Sequence, residues 1–231
     1  MRFYKNNLFL GLALFLSLFI SNAIAQETTT EESTSPAIQE ESIFDKGDLR
    51  VGFKVGLAVP SYRFNGAQDG YTTEEMLSGT AGLVFEQFYN KYYSYKVELL
   101  YAYRGHVQSM DIAGVKVKEE YIQHAAELHI MPVVFKLGTK GISPFIGFGG
   151  YGALLVDNTY KLNGKKADEL GPEVTAPEFK KMDFGLSFSG GFYINKCPID
   201  IRYQLGLSNL FNGLEDSNNM KHQSIVVSVT L

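Results

Sequence analysis

The stretch LRVGFKVGLAV, residues 49–59, decides the fold. Leu49, Val51, Phe53, Val55, Leu57 and Val59 take every second position, and Arg50, Gly52, Lys54, Gly56 and Ala58 fill the places between. Successive side chains of a strand point to opposite faces, so these residues form one apolar face and one small or charged face. A helix would scatter the same residues around its axis. A tilted strand needs about 9–11 residues to cross a bilayer, which is the length of this run.

The pattern recurs outward from there. Ala81, Leu83 and Phe85 alternate with Gly82, Val84 and Glu86. Tyr95, Val97, Leu99, Tyr101 and Tyr103 alternate with Lys96, Glu98, Leu100, Ala102 and Arg104. Ala126, Leu128, Ile130 and Val134 alternate with Glu127, His129, Met131 and Val133. Ile146, Phe148, Leu154 and Val156 share a face with two glycines. Phe184, Leu186, Phe188 and Phe192 alternate with Asp183, Gly185, Ser187, Ser189 and Gly191. Ile199, Ile201, Tyr203, Leu205 and Leu207 alternate with Asp200, Arg202, Gln204 and Gly206, and Ile225, Val227, Val229 and Leu231 alternate with Ser224, Val226, Ser228 and Thr230. With residues 49–59 that makes eight segments, an even number, as single-chain bacterial barrels have. The expected fold is all-β: an eight-stranded antiparallel up-and-down transmembrane β-barrel over residues 48–231.

The charges set the sense of the faces. Arg50, Lys54, Lys96, Arg104 and Arg202 all fall on the second face. A cation on the lipid side costs about 2–4 kcal/mol at the midplane, so the apolar face must be outside. Arg50, Lys54, Glu86, Lys96, Glu98, Arg104, Glu127, Asp183, Asp200 and Arg202 are then expected to share the lumen, five basic against five acidic. Enclosed charges must pair or stay hydrated, and an eight-stranded barrel is just wide enough for its side chains to fill it. A salt-bridged plug is expected, with a gated polar channel as the alternative. A soluble sandwich would also alternate, burying its apolar face against a second sheet. The small residues on the polar face, and the spacing of the connections, argue against it.

Those connections alternate in length. Turns near Asn90-Lys91, Gly138 to Gly141 and Asn195 to Pro198 carry the Gly, Asn and Pro chemistry of tight turns. The other connections are expected as longer loops, from Arg63 to Gly79, Val107 to Glu120, Asp157 to Lys181 and Ser208 to His222, the second with a hairpin signal at Ala113-Gly114. Short turns at one rim and long loops at the other place both mature termini in the periplasm and the long loops outside the cell. Tyr89, Tyr92, Tyr93, Tyr95, Phe192 and Tyr193 lie beside the short turns and suit an aromatic girdle.

Upstream, residues 1–25 have the parts of an export signal: Arg2 and Lys5, the apolar run LFLGLALFLSLFI (8–20), and Ala23-Ile24-Ala25 before the cut. Removing that segment takes the formal charge from −4 to −6. Residues 26–47 open with QETTTEESTSPAIQEES and read as a flexible acidic tail, too polar to offset its ordering entropy. The basic residues form no patch suited to nucleic acid. A single cysteine, Cys197, allows no internal disulfide.

Four segments carry a family resemblance: LHIMPVVFKLG (128–138), PFIGFGGYGALL (144–155), KKMDFGLSFSGGFYI (180–194) and IDIRYQLGLSNLF (199–211). On these the chain resembles the outer-membrane β-barrel proteins common in Bacteroidetes, often called porin-family or PorT-like. The resemblance implies an outer-membrane barrel inserted with the barrel-assembly machinery, and a service role in secretion. His129 and Met131 depart from the family's Leu-Glu-Ile-Pro-like segment, and Leu231 stands where the family often ends on an aromatic residue.

No motif for chemistry emerges. Gly147, Gly149 and Gly152 match G-x-G-x-x-G, but strand rather than helix follows, so no cofactor is expected. His106, His124, His129 and His222 lack metal-ligand spacing. Three roles follow as expectations: a structural or interaction barrel meeting a protein partner through its outer loops or acidic tail; a narrow pore for small solutes; and, last, a lipid-modifying enzyme. Asp69, Glu74, Glu75 and the stretch from Asp157 to Glu173 are candidate contact surfaces, and outer-membrane lipid is the expected surrounding.

Overall fold

In the first strand of the computed structural model, Lys54 is 1% exposed and its neighbour Phe53 is 48% exposed. That contrast repeats around a ring. The structure describes residue 42 and residues 44–64, 71–112, 114–138, 141–166, 169, 171, 178–210 and 220–231. The export signal, residues 26–41 of the tail, Asp69 and Glu173 lie outside the described residues. The strands are β1 (Leu49–Phe64), β2 (Tyr71–Glu75), β3 (Ser78–Phe88), β4 (Tyr93–Ile112), β5 (Val115–Lys136), β6 (Ile142–Leu162), β7 (Lys165–Lys166), β8 (Met182–Ile194), β9 (Cys197–Gly206) and β10 (Met220–Thr230).

Eight of them close a barrel in the order β1-β3-β4-β5-β6-β8-β9-β10. Every neighbouring pair is antiparallel, and β10 returns to β1 with Lys54 opposite Thr230 and Phe64 opposite Met220. Closure leaves no edge along the ring, which is what a wall in hydrocarbon requires. Leu99, Phe148, Phe184 and Phe188 point outward, Phe184 being 58% exposed. The core is therefore the lumen.

The wall is drawn tight at its glycines. A Cβ on Gly149 would stand 2.1 Å from the Ile130 carbonyl oxygen. At Gly152, in the same strand, it would meet nothing within 4 Å. The G-x-G-x-x-G match thus lies in a β-wall, where part of it permits close approach between strands.

Four sequence expectations need correction. Val134 was expected outward and Val133 inward, but Val134 is buried and Val133 is half exposed. The ladder shifts between Ile130 and Val133, and β4 shows the matching shift between Ser94 and Lys96. Pro132 has no N–H for the ladder, and the bulge absorbs one residue and reverses the faces beyond it. Second, the connection from Val107 to Glu120 is no open loop but the hairpin that Ala113-Gly114 signals. β4 and β5 run on together to Ile112 and Val115, with Gly114 at φ 83° in the turn; Ala113 is outside the described residues. Third, the segment expected as a loop from Asp157 stays in β6 to Leu162 and returns through β7. Asn163 (φ 50°) and Gly164 (φ 82°) make the turn, an Asn-Gly pair of the kind two-residue hairpins favour. Within the first long connection, β2 pairs with β4, Tyr71 opposite Met110. Five strands thus continue beyond the ring as a sheet, β2-β4-β5-β6-β7. Fourth, Tyr193 belongs to the interior rather than to a girdle, at 0% exposure.

Candidate functional site

Inward positions of the strands deliver the charges to the lumen in three groups. Nearest the short turns, Arg50 Nη2 lies 2.8 Å from Glu86 Oε2. Ser94 and Tyr193 each donate a hydroxyl to Glu86 at 2.5 Å. In the middle, Lys54 Nζ reaches Glu98 at 2.7 Å and Asp200 at 3.0 Å. Arg202 Nη2 reaches Glu98 at 2.6 Å and Asp200 at 3.4 Å. Ser228 also donates to Asp200. Two cations and two carboxylates from β1, β4 and β9 so form a closed square. Higher up, Arg104 bonds Glu127 through Nε (3.0 Å) and Nη2 (2.6 Å) and holds Asp183 through Nη1 (3.2 Å). Lys96 makes no ion pair at contact distance among the described residues; its Nζ lies 5.0 Å from the centre of the Phe145 ring and feels the charges of Glu86 and Glu98. The ten charged residues all face the interior; nine are buried and Arg50 is half-buried.

Other polar groups join the third group. His129 Nε2 lies 2.7 Å from Glu127, its Nδ1 lies 3.2 Å from Ser187 Oγ, and Gln204 donates to Glu127 at 3.1 Å. Tyr151 and Ser208 donate to Asp183 at 3.1 and 2.5 Å. Alternation alone puts His129, Ser187 and Gln204 on the inner face. What it cannot show is which strand each meets across the barrel, because that depends on the stagger of the closed ring.

Ser187, His129 and Glu127 have the connectivity of a nucleophile, a base and an acid. Ser187 and His129 are fully buried, and the Glu127 carboxylate is already shared with Arg104 and Gln204. A cavity beside the middle group, lined by Lys54, Arg104, Glu127 and Arg202, measures about 10 Å3 as space open to the centre of a water molecule. That is room for roughly one water.

Apolar layers close both ends of the polar zone. At the short-turn rim Phe44 stacks on Phe88 at 4.1 Å and meets Tyr193 edge-on at 5.4 Å. Phe44, within the segment read as tail, is only 5% exposed. The Lys136 ammonium sits 3.6 Å from the Phe88 ring centre and 4.2 Å from that of Phe44, a cation held by aromatic faces. At the other rim Tyr62, Tyr121, Phe179, Leu210 and Met220 pack together. Above them Tyr121 and Tyr160 each donate to Glu119 at 3.0 Å. Burial and that carboxylate push the Tyr160 phenol well above its usual range.

The profile of the family described as outer membrane protein beta-barrel domain matches residues 25–212. Among solved structures, the outer membrane protein OprG from Pseudomonas aeruginosa is 16% identical, with a TM-score of 0.44 over 82% of this chain and 95% of that one. Neisserial surface protein A is 9% identical, with a TM-score of 0.41 over 80% and 98%. The outer membrane enzyme PagL is 15% identical, with a TM-score of 0.37 over 77% and 98%. No curated protein matches.

Proposed function

Because this chain belongs to the outer membrane protein β-barrel family, we propose that it is a plugged barrel with a structural or interaction role, neither a pore nor an enzyme. The observation that carries this reading is the filled lumen. Its charges are mostly held in groups of opposite sign, its largest buried side chains face one another across the ring, and aromatic clusters pack at both ends. Opening such a network means parting several buried ion pairs at once.

In this reading the chain is exported by its leader and both mature termini lie in the periplasm. The sheet extension formed by β2, β4, β5, β6 and β7 stands outside the cell as the contact surface for a protein partner. Glu74 and the Lys118–Glu120 pair, 3.1 Å apart, lie on that extension. Service to a secretion system, as the PorT-like resemblance implies, is one form this role takes. The Ser187–His129–Glu127 contacts are read as part of the plug.

The test is to reconstitute the full chain in planar bilayers and in vesicles carrying labelled phospholipid. The bilayers are expected to stay silent and the vesicles to release no fatty acid. Stepwise conductance would overturn the plug, and fatty-acid release lost in Ser187→Ala would make the third group an active site.

A further inference from the structure

The outer wall changes character at the long-hairpin rim. On β1 the outward positions carry no charge from Leu49 to Val59, and then come Ser61 and Arg63. On β10 they pass from Ile225 to Gln223 and Lys221. Gln223 accepts a hydrogen bond from Tyr203 at 2.8 Å, the kind of polar and aromatic contact expected where hydrocarbon gives way to headgroups. One step higher, Arg63 and Lys221 are direct register partners. Directly opposed residues have Cβ atoms about 4.5–5.5 Å apart, and like charges there repel.

The row continues. Leu210 N–H donates to the Met220 carbonyl at 2.9 Å, and Lys180 N–H donates to the Leu210 carbonyl at 2.8 Å. Lys180 is exposed, between buried Phe179 and exposed Lys181, and shares the outward parity of Met182. Two strand spacings, about 10 Å, separate it from Lys221. Three cations therefore lie on one arc just above the apolar belt. Among the described residues none of them has a carboxylate partner, and exposed Glu178 stands two residues beyond Lys180.

We propose that this arc is a binding site for the phosphorylated headgroup of outer-leaflet lipopolysaccharide. The proposal rests on the outer-membrane reading with the long hairpins outside. One phosphate between Arg63 and Lys221 turns their repulsion into two charge-assisted contacts. The arc is too long for a single phosphate, so it favours a headgroup carrying two over an ordinary phospholipid.

The full chain is refolded into phosphatidylcholine vesicles containing bisphosphorylated lipid A, the same lipid stripped of phosphate, or phosphatidylglycerol. Lipid retained after mild detergent extraction is read by native mass spectrometry. Wild type is expected to keep the bisphosphorylated lipid. Arg63→Gln with Lys221→Gln should retain it about 25-fold less, roughly fivefold for each cation. Arg63→Lys should keep most of it. Equal retention by wild type and the double variant overturns the site. Equal retention of phosphatidylglycerol overturns the choice of ligand. Boiling-dependent gel mobility separates these results from failure of the underlying reading: a wild-type chain that inserts in no vesicle and shows no shift would remove the membrane barrel itself, and this site with it.

Discussion

Glu98 shows what a single residue does here. It takes Lys54 at 2.7 Å and Arg202 at 2.6 Å, and all three side chains are sealed from solvent. Two desolvated cations depend on it, with Asp200 the other carboxylate of the square. Glu98→Ala should therefore destabilise the barrel by about 3–5 kcal/mol, the usual cost of stranding a buried charge. Urea titration of the folded gel band in vesicles measures this, and an unchanged midpoint would mean that water already hydrates the square. Alternation sufficed to put Glu98 on the inner face, because one apolar stripe facing lipid forces every second residue inward. It did not reveal the partners. Lys54 and Arg202 meet Glu98 only through the ring's stagger, and no local pattern encodes that. Tyr193 shows the opposite failure: its place beside outward Phe192 already implied an inward side chain, but its closeness to a turn suggested the interface instead.

At the scale of the element, the strand pattern was legible wherever regular pairing held and failed where the backbone departs from it. Pro132 interrupts the β5 ladder, so the faces assigned to Val133 and Val134 exchanged. The arms of β4 and β5 beyond Gly105 and Ile122 mix polar and apolar residues without strict alternation, so the Ala113-Gly114 signal marks a hairpin there but not how far its strands run. β6 offers a matched test of how tightly the wall is built. Gly149→Ala places a methyl 2.1 Å from the Ile130 carbonyl, and Gly152→Ala places one in open space. The first should cost about 1–3 kcal/mol as an overpacked contact, and the second should be near neutral. Refolding yield and urea midpoint of the two variants, side by side, check this; equal behaviour would mean that the strands can separate at Gly149 without penalty.

For the whole molecule, the lumen is a stack: an aromatic floor, three charged tiers and an aromatic roof. Phe44 belongs to this floor although it precedes the first strand. It is pinned there by backbone bonds from Gly47 N–H to the Phe88 carbonyl (2.8 Å) and from Phe88 N–H to the Asp48 carbonyl (2.9 Å). Phe44→Ala should leave the ring closed, with its gel shift intact, but uncover the Lys136 ammonium. An amine-reactive label should then modify Lys136 in the variant and spare it in the wild type, while Lys54 is spared in both; identical labelling would show that the floor does not seal. The polar composition around Phe44 concealed this contact, since one aromatic residue in an acidic stretch carries no periodicity.

The seam between β1 and β10 has a consequence for how such a chain is made. It joins the first strand of the ring to the last in chain order. Until Met220–Thr230 is synthesised, β1 and β9 each keep one row of backbone donors and acceptors bare. Bare rows pair with whatever strand comes near, including those of sibling chains. Contacts between distant parts of a sequence also form slowly. A partly assembled barrel of this design therefore has two adhesive margins until the seam shuts, and crowding before that moment favours joining to a sibling over joining to itself.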